Sequence, residues 1–268
     1  MIKRTELLDQ VRWPQNEFNF RDHSILIGYR GSQAHGTFIP STDPNSIDDI
    51  DLMAVVIAEQ NCYVGLGSWD EAEGINGPWD IKAYEIRKFI RLLVKQNPNV
   101  LTLLWLEPED YLFLSPLGDE LLKIRDKFSS RQSAKAFCGY AKDQLNKMTH
   151  VAGRGYLGAK RKQLVEKYGY DCKNAGHLLR LLHMGIEFLE TGKLNVKRTW
   201  DKDLLIDIKT GKYSLIDVHK LAADAFTKID HAEKNSVLPP RISGKDLKLI
   251  DDICQSIIKD WFGWYENE

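Results

Sequence analysis

Asp49 and Asp51 stand two residues apart at the head of a β-branched run that continues through Leu52-Met53-Ala54-Val55-Val56-Ile57. Alternate side chains of a strand project from one face, so the two carboxylates share a side while Ile50 and Leu52 take the other. Asp48, one residue earlier, points away from the pair. Two adjacent carboxylates repel each other unless a cation lies between them. Hard oxygen donors of this kind suit magnesium or manganese. Upstream, residues 24–29 (Ser-Ile-Leu-Ile-Gly-Tyr) predict a short buried strand that runs into the turn Arg30-Gly31-Ser32-Gln33-Ala34-His35-Gly36. Glycine lets backbone N–H groups approach a phosphate closely, and the Ser32 hydroxyl adds a donor. Gly36 permits the bend that follows, and His35 either contacts the phosphate or caps the turn.

A carboxylate pair facing a Gly-Ser turn is equipment for phosphoryl or nucleotidyl transfer. One divalent ion bridges a triphosphate and a second activates the attacking hydroxyl. A third carboxylate would help to hold the second ion and take the proton. Asp80, opening the alternating segment 80–84, is the candidate, with Glu85 and Asp70 as alternatives. The pattern G-x-x-x-x-G-K-[ST] is absent, which disfavours a P-loop enzyme.

The elements that must position these groups follow from periodicity and punctuation. Strands are predicted over 24–29, 49–57 and 80–84, with a Gly-rich loop or hairpin over 60–77. A helix from 85 to 96 carries apolar residues at Ile86, Phe89, Ile90 and Leu93 and stops at Asn97-Pro98. A short helix over 101–106 follows. From about residue 118 the pattern is helical, with helices over 118–127, 131–150, 156–168, 173–191, 214–235 and 244–263. Ser214-Leu215-Ile216-Asp217 starts the fifth of these as a capping box with Asp in place of Glu. The expected organisation is α+β: a small mixed sheet with flanking helices over 1–120, then an all-helical domain over 121–268 that binds nucleotide or acceptor.

Composition limits the alternatives. The 268 residues are 43% apolar, enough for a sizeable core. No apolar run is long enough to span a membrane, and the N-terminus lacks the apolar core of a signal peptide. The cysteines, Cys62, Cys138, Cys172 and Cys254, are widely spaced, which argues against zinc or a disulfide scaffold and for a reduced, cytoplasmic protein. Oligomeric state is not legible.

The net charge of −1 is unevenly spread: residues 121–200 carry 17 Lys/Arg against 6 Asp/Glu, in an otherwise acidic chain. Such a block suits a polyanion surface, or a solvated helical region. Within it, Lys173, His177 and Arg180 recur at one helical face, with Leu178, Leu181 and Leu182 on the other. That stripe suits nucleotide or phosphate, or is a solvated amphipathic face. Arg154, Lys160, Arg161 and Lys162 suit nucleic-acid backbone contacts. Tyr156, Tyr168 and Tyr170 interleave with them, as base-stacking or core residues. His183 reads as a core or boundary histidine.

The strand, the Gly31-Ser32 turn and Asp49-Ile50-Asp51 on the next strand together resemble the DNA polymerase β-like nucleotidyltransferase superfamily. Within it, the chain is most similar to the RNA-repair-associated, RlaP-like group. The further stretches are 80–89, 97–101 and 170–182. The resemblance implies a minimal palm sheet, magnesium or manganese as cofactor, and transfer of a nucleoside monophosphate from an NTP with pyrophosphate release. It carries metal roles onto Asp49, Asp51 and Asp80 and phosphate roles onto Gly31 and Ser32. RNA is the expected acceptor, through end repair or a tRNA. The alternatives are a protein or small-molecule hydroxyl, or a non-catalytic nucleotide or RNA-binding module. Two features depart from the family pattern: a long interval between Ser32 and Asp49, and Thr102 where an acid is expected.

Overall fold

The computed structural model describes residues 20–40, 42–43, 48–77, 79–149 and 159–264. The chain forms two compact units. The first comprises residues 1–34, 49–128 and 242–268, and the second residues 35–48 and 129–241.

The first unit holds the sheet. Its elements are α1 (Phe20–His23), β1 (Ser24–Tyr29), the one-turn α2 (Gly31–Ala34), β2 (Ile50–Val56), α3 (Asn61–Val64), β3 (Glu71–Asn76), β4 (Trp79–Glu85), α4 (Ile86–Val94), α5 (Pro98–Leu104), β5 (Tyr111–Leu114) and α6 (Pro116–Lys123). The five strands lie in the order β3-β4-β2-β1-β5. β2 runs parallel to β4 and antiparallel to β1, so the sheet is mixed, as expected. β4 alternates buried and half-buried residues, whereas β1 and most of β2 are buried throughout, the pattern of a strand covered on both faces. Phe20, Ile27, Leu52, Val56, Trp79, Ile81 and Leu112 form one core cluster.

Local chemistry explains the helix starts. The Glu85 carboxylate accepts from Lys88 N and caps α4, whose Ile86, Phe89, Ile90 and Leu93 are all buried. Asn97 caps α5 with Pro98 in the first turn, where the missing N–H costs nothing. Of the stretch 60–77, expected as a loop or hairpin, Asn61–Val64 is a helical turn and Glu71–Asn76 is β3, which pairs antiparallel with β4.

The second unit is helical: α7 (Ser133–Thr149), α8 (Ala159–Tyr168), α9 (Cys172–Thr191), α10 (Lys202–Lys209) and α11 (Leu215–Lys234). α9 is buried nearly all round and packs on α7, α10 and α11, which makes it the unit's centre. A Cβ at Gly185 would lie 2.8 Å from Ile229 Cδ1 and 3.0 Å from Phe137, so glycine permits the close three-helix approach there. Ser214 accepts from Asp217 N and donates to its carboxylate, the capping box read in the sequence.

The units cut the chain differently from a single boundary near 120. The final helix, α12 (Gly244–Phe262), joins the sheet unit: it packs on α4, α6 and the Arg125–Phe128 turn and buries Ile250, Cys254, Ile257 and Ile258. The 35–48 segment joins the helical unit through the Asp48 carboxylate, which is fully buried. Asp48 receives Lys209 Nζ, accepts from Ile39 N at 2.9 Å, and lies 3.8 Å from Lys173 Nζ. β5 and α10 have no counterpart among the predicted elements. None of the four cysteines forms a disulfide among the described residues. Among the described residues, no helix is long and apolar enough to cross a membrane.

Candidate active site

In the sheet unit, parallel pairing sets Asp51 and Asp80 opposite each other as Cα partners. Both side chains are half-buried. Asp49 sits one residue before β2 begins and is exposed, so it lies at the mouth of the strand rather than within the ladder. Gly31 closes in from the end of β1: its φ is +60°, and an added Cβ would fall 2.0 Å from Asp51 Oδ2. No larger residue fits there, because the left-handed backbone and the carboxylate both exclude one. Arg30 N donates to Asp51 O at 2.9 Å, which ties the Gly31-Ser32 turn to the carboxylate strand. The α2 helix is a single turn, so its dipole is small. The donors the turn offers are its backbone N–H groups and the Ser32 hydroxyl instead.

The two alternative third carboxylates are engaged elsewhere. Glu85 is buried and accepts from Tyr63 Oη at 2.9 Å, Arg87 Nε at 3.1 Å and Lys88 N at 3.1 Å. Asp70 is exposed and lies 3.6 Å from Lys88 Nζ. Among the described residues, no three His, Cys, Asp or Glu side chains converge as a ready metal cage. Magnesium does not require one, since one or two carboxylates plus substrate phosphates commonly complete its shell. The Asp51–Asp80 couple fits that chemistry, and Asp80 Oδ1 is buried without a hydrogen-bond partner among the described residues.

Sequence reasoning passed over Arg30. Its Nη2 lies 2.9 Å from Asp80 Oδ2, 3.7 Å from Glu73 Oε1 and 3.9 Å from Asp51 Oδ1. The available signal was its place beside Gly31, but its partners are assembled only by strand pairing.

In the helical unit, the Lys173–His177–Arg180 stripe is not a solvated face. Arg180 is 7% exposed and donates through Nη1 to the Met184 sulfur at 3.3 Å. Among the described residues no carboxylate lies within ion-pair distance of it. Burial, reinforced by Arg198, pushes its guanidinium down to about 9, with Asp201 opposing. It therefore stays charged at neutral pH, where an anionic ligand would relieve its desolvation. Lys173 is shared with Asp48. His177 is held well below the usual imidazole range by burial first, then by Arg180, Lys173, Lys209 and Arg161. The stripe thus carries a neutral imidazole among cations.

His35 is a buried anchor. Its ring Nδ1 pairs with Val196 O at 3.1 Å, and its carbonyl accepts from Arg198 N at 3.0 Å. Burial lowers its pKa well below 6.5, helped by Arg180, His177 and Arg198 and opposed by the Val196 bond. Gly36 follows with φ +66°. Arg198, absent from the sequence reading, bonds Asp201 and Glu187, while His183 pairs with Asp201 at 2.7 Å, a boundary role as expected.

His35 and His177 make stability pH-dependent. Their folded pKa values lie below the unfolded value, so the unfolded chain takes up protons first as pH falls. The stability they contribute is complete above about pH 6.5 and is lost below it at up to about 1.4 kcal/mol per pH unit per histidine. Thermal melts should decline from pH 7 to 5, and His177→Gln should flatten the decline; equal slopes in both proteins would contradict the assignment.

Of the residues expected to meet nucleic acid, Arg154 lies outside the described residues, as does the Lys160 side chain, and Lys162 is exposed. Arg161 departs from the expectation. It lies 2.7 Å from Asp171 Oδ2 and donates to Asn174 Oδ1 at 2.8 Å, clamping the residue that caps α9. Arg161→Ala should therefore cost about 1–3 kcal/mol in denaturant unfolding, whereas Lys162→Ala should stay within about 0.5 kcal/mol. Equal costs would remove the clamp. Tyr170 is buried, with its hydroxyl on Tyr213 O at 2.7 Å, and Tyr156 lies outside the described residues.

Against known proteins, the family model described as RlaP, RNA repair pathway DNA polymerase beta family, matches residues 15–256. No curated protein matches the chain. A solved structure, a nucleotidyltransferase-like protein from Exiguobacterium sibiricum, is 14% identical over 86% of this chain and 74% of its own, with a TM-score of 0.27.

Proposed function

The chain belongs to the RNA repair pathway DNA polymerase beta family, and on that premise we propose that it is a metal-dependent nucleotidyltransferase acting on RNA. The observation that carries the reading is the close approach of Gly31 to Asp51, with Asp80 directly across the ladder. A turn able to hold phosphate thus adjoins the carboxylates that would hold the ion. Asp51 and Asp80 would bind magnesium or manganese, with Asp49 at the strand mouth. When bound, such an ion neutralises triphosphate charge and favours the alkoxide of the attacking hydroxyl. Gly31 N–H and the Ser32 hydroxyl donate to phosphate oxygens and fix the α-phosphorus for in-line attack. Asp80 Oδ1, buried without a hydrogen-bond partner among the described residues, would take the acceptor's proton. A nucleoside monophosphate is transferred and pyrophosphate leaves.

The RNA acceptor is supported by the family's description and by the excess of 17 basic over 6 acidic residues in 121–200. Arg180, a buried cation with no carboxylate within ion-pair distance among the described residues, would bind phosphate beside His177, and Arg154, Lys160 and Lys162 would track an RNA backbone. The experiment supplies α-labelled NTPs and magnesium with total RNA, protein and small-molecule fractions. Nuclease-sensitive product, absent with Asp51→Asn, is expected. Label confined to protein or small molecules would overturn the RNA acceptor, and no label anywhere would overturn transfer.

A further inference from the structure

Arg30 occupies the position that a cation needs. Its guanidinium faces three carboxylates at once: Asp80, Glu73 and Asp51, at 2.9, 3.7 and 3.9 Å. The register explains the crowding. Asp51 and Asp80 are partners across β2 and β4, and Glu73 is the partner of Lys82 across β3 and β4. Three half-buried or exposed acids on one patch repel one another, and one positive charge placed among them offsets that repulsion.

The arrangement is also incomplete. Arg30 Nε and Asp80 Oδ1 are both buried, and neither has a hydrogen-bond partner among the described residues. Both orphan atoms belong to the same ion pair, where a settled structural pair would satisfy its remaining donors and acceptors. A guanidinium has five donors in a rigid fork, and here the fork is only partly used. Lys82 lies 3.0 Å from Glu71 and 3.5 Å from Glu73, so Glu73 keeps a cation if Arg30 leaves.

We propose that Arg30 is an exchangeable counter-cation. It holds Asp51 and Asp80 in the metal-free protein, is displaced when a divalent ion binds them, and then pairs with the phosphate of the incoming triphosphate. Two facts direct the handover. Arg30 immediately precedes Gly31-Ser32, and its backbone stays tied to Asp51 O. The displaced side chain therefore remains beside the turn. Once the carboxylates are neutralised, the new anion at that turn is phosphate, which matches the guanidinium fork. Arg30 is thus a positioning residue before metal binding and a substrate contact after it.

This inference rests on the proposed metal site, and the test separates the two. Mn2+ binding to the full chain is measured by electron paramagnetic resonance for the wild type, Arg30→Gln and Arg30→Lys. The α,β-methylene analogues of the four ribonucleoside triphosphates are then titrated in saturating Mn2+. Removing the competitor should tighten Mn2+ binding roughly tenfold while weakening the best-bound analogue roughly tenfold. Arg30→Lys should fall between. Opposite signs are the signature, since a merely structural arginine would weaken both. Unchanged or weaker Mn2+ binding in Arg30→Gln overturns the exchange, and unchanged analogue affinity overturns the handover. Wild-type protein that binds no Mn2+ at Asp51 overturns the metal site itself. Should Arg30→Gln fail to fold, the wild-type Arg30 Nε–H resonance decides: it should shift on Mg2+ addition, and an unmoved resonance overturns the exchange.

Discussion

Asp51→Asn is expected to lower kcat/KM for nucleotidyl transfer by at least about a thousandfold, or roughly 4 kcal/mol of transition-state stabilisation. The amide is isosteric, so packing is kept while the anionic oxygen is lost. Asp51 is the carboxylate that meets both Asp80 across the ladder and Gly31 from the turn. Glu85 is consumed in capping α4 and Asp70 is exposed beside Lys88, so neither offers a substitute. The fold should survive. Removing one of the acids around Arg30 leaves Asp80 and Glu73 to hold that guanidinium, and relieves like-charge repulsion. Steady-state kinetics with a thermal melt check both halves. Turnover within tenfold of wild type would contradict the metal role.

Lys209→Met is expected to destabilise the helical unit by about 3–5 kcal/mol, the cost of stranding a buried charge. Asp48 is fully buried, and Lys209 is its close partner, donating also to Thr37 O at 3.1 Å. Lys173, at 3.8 Å, is too distant to satisfy the carboxylate alone. The double variant Asp48→Leu/Lys209→Met should recover most of the loss, since an apolar pair of similar volume strands no charge. Denaturant unfolding of the three proteins measures the cycle. A single-variant cost under about 1 kcal/mol would show that the 35–48 segment is held by something other than this pair.

The sequence carried the local elements well. Helices over 133–149, 172–191, 215–234 and 244–262 were legible because caps and apolar spacing mark them, and these signals are local. β5 was missed because Tyr111–Leu114 is only four residues long and carries no alternation. α10 was missed because its eight residues give barely two turns of periodicity. Unit membership was illegible for a deeper reason. Whether α12 joins the sheet or the helices depends on apolar contacts between residues far apart in the chain, and periodicity records only which face is apolar. The site shows the same division. Gly31, Ser32, Asp51 and Asp80 stand out as candidates in the sequence because the turn and the strands are written in residue type and order. The engagement of Arg161 by Asp171, of Lys173 by Asp48 and of Arg30 by three acids arises only from folding. A basic residue reads as free charge in a sequence until its carboxylate partner is placed.

The proposed transfer of a nucleoside monophosphate at the Gly31–Asp51–Asp80 site leaves a labelling signature. Parallel reactions with α-labelled and γ-labelled ATP, GTP, CTP and UTP, with magnesium and total RNA, test it most directly. α-Label in the RNA and γ-label in pyrophosphate, in equal amounts, are expected. Label from the γ-position in the RNA, or release of γ-label as inorganic phosphate with no α-label transferred, would contradict it.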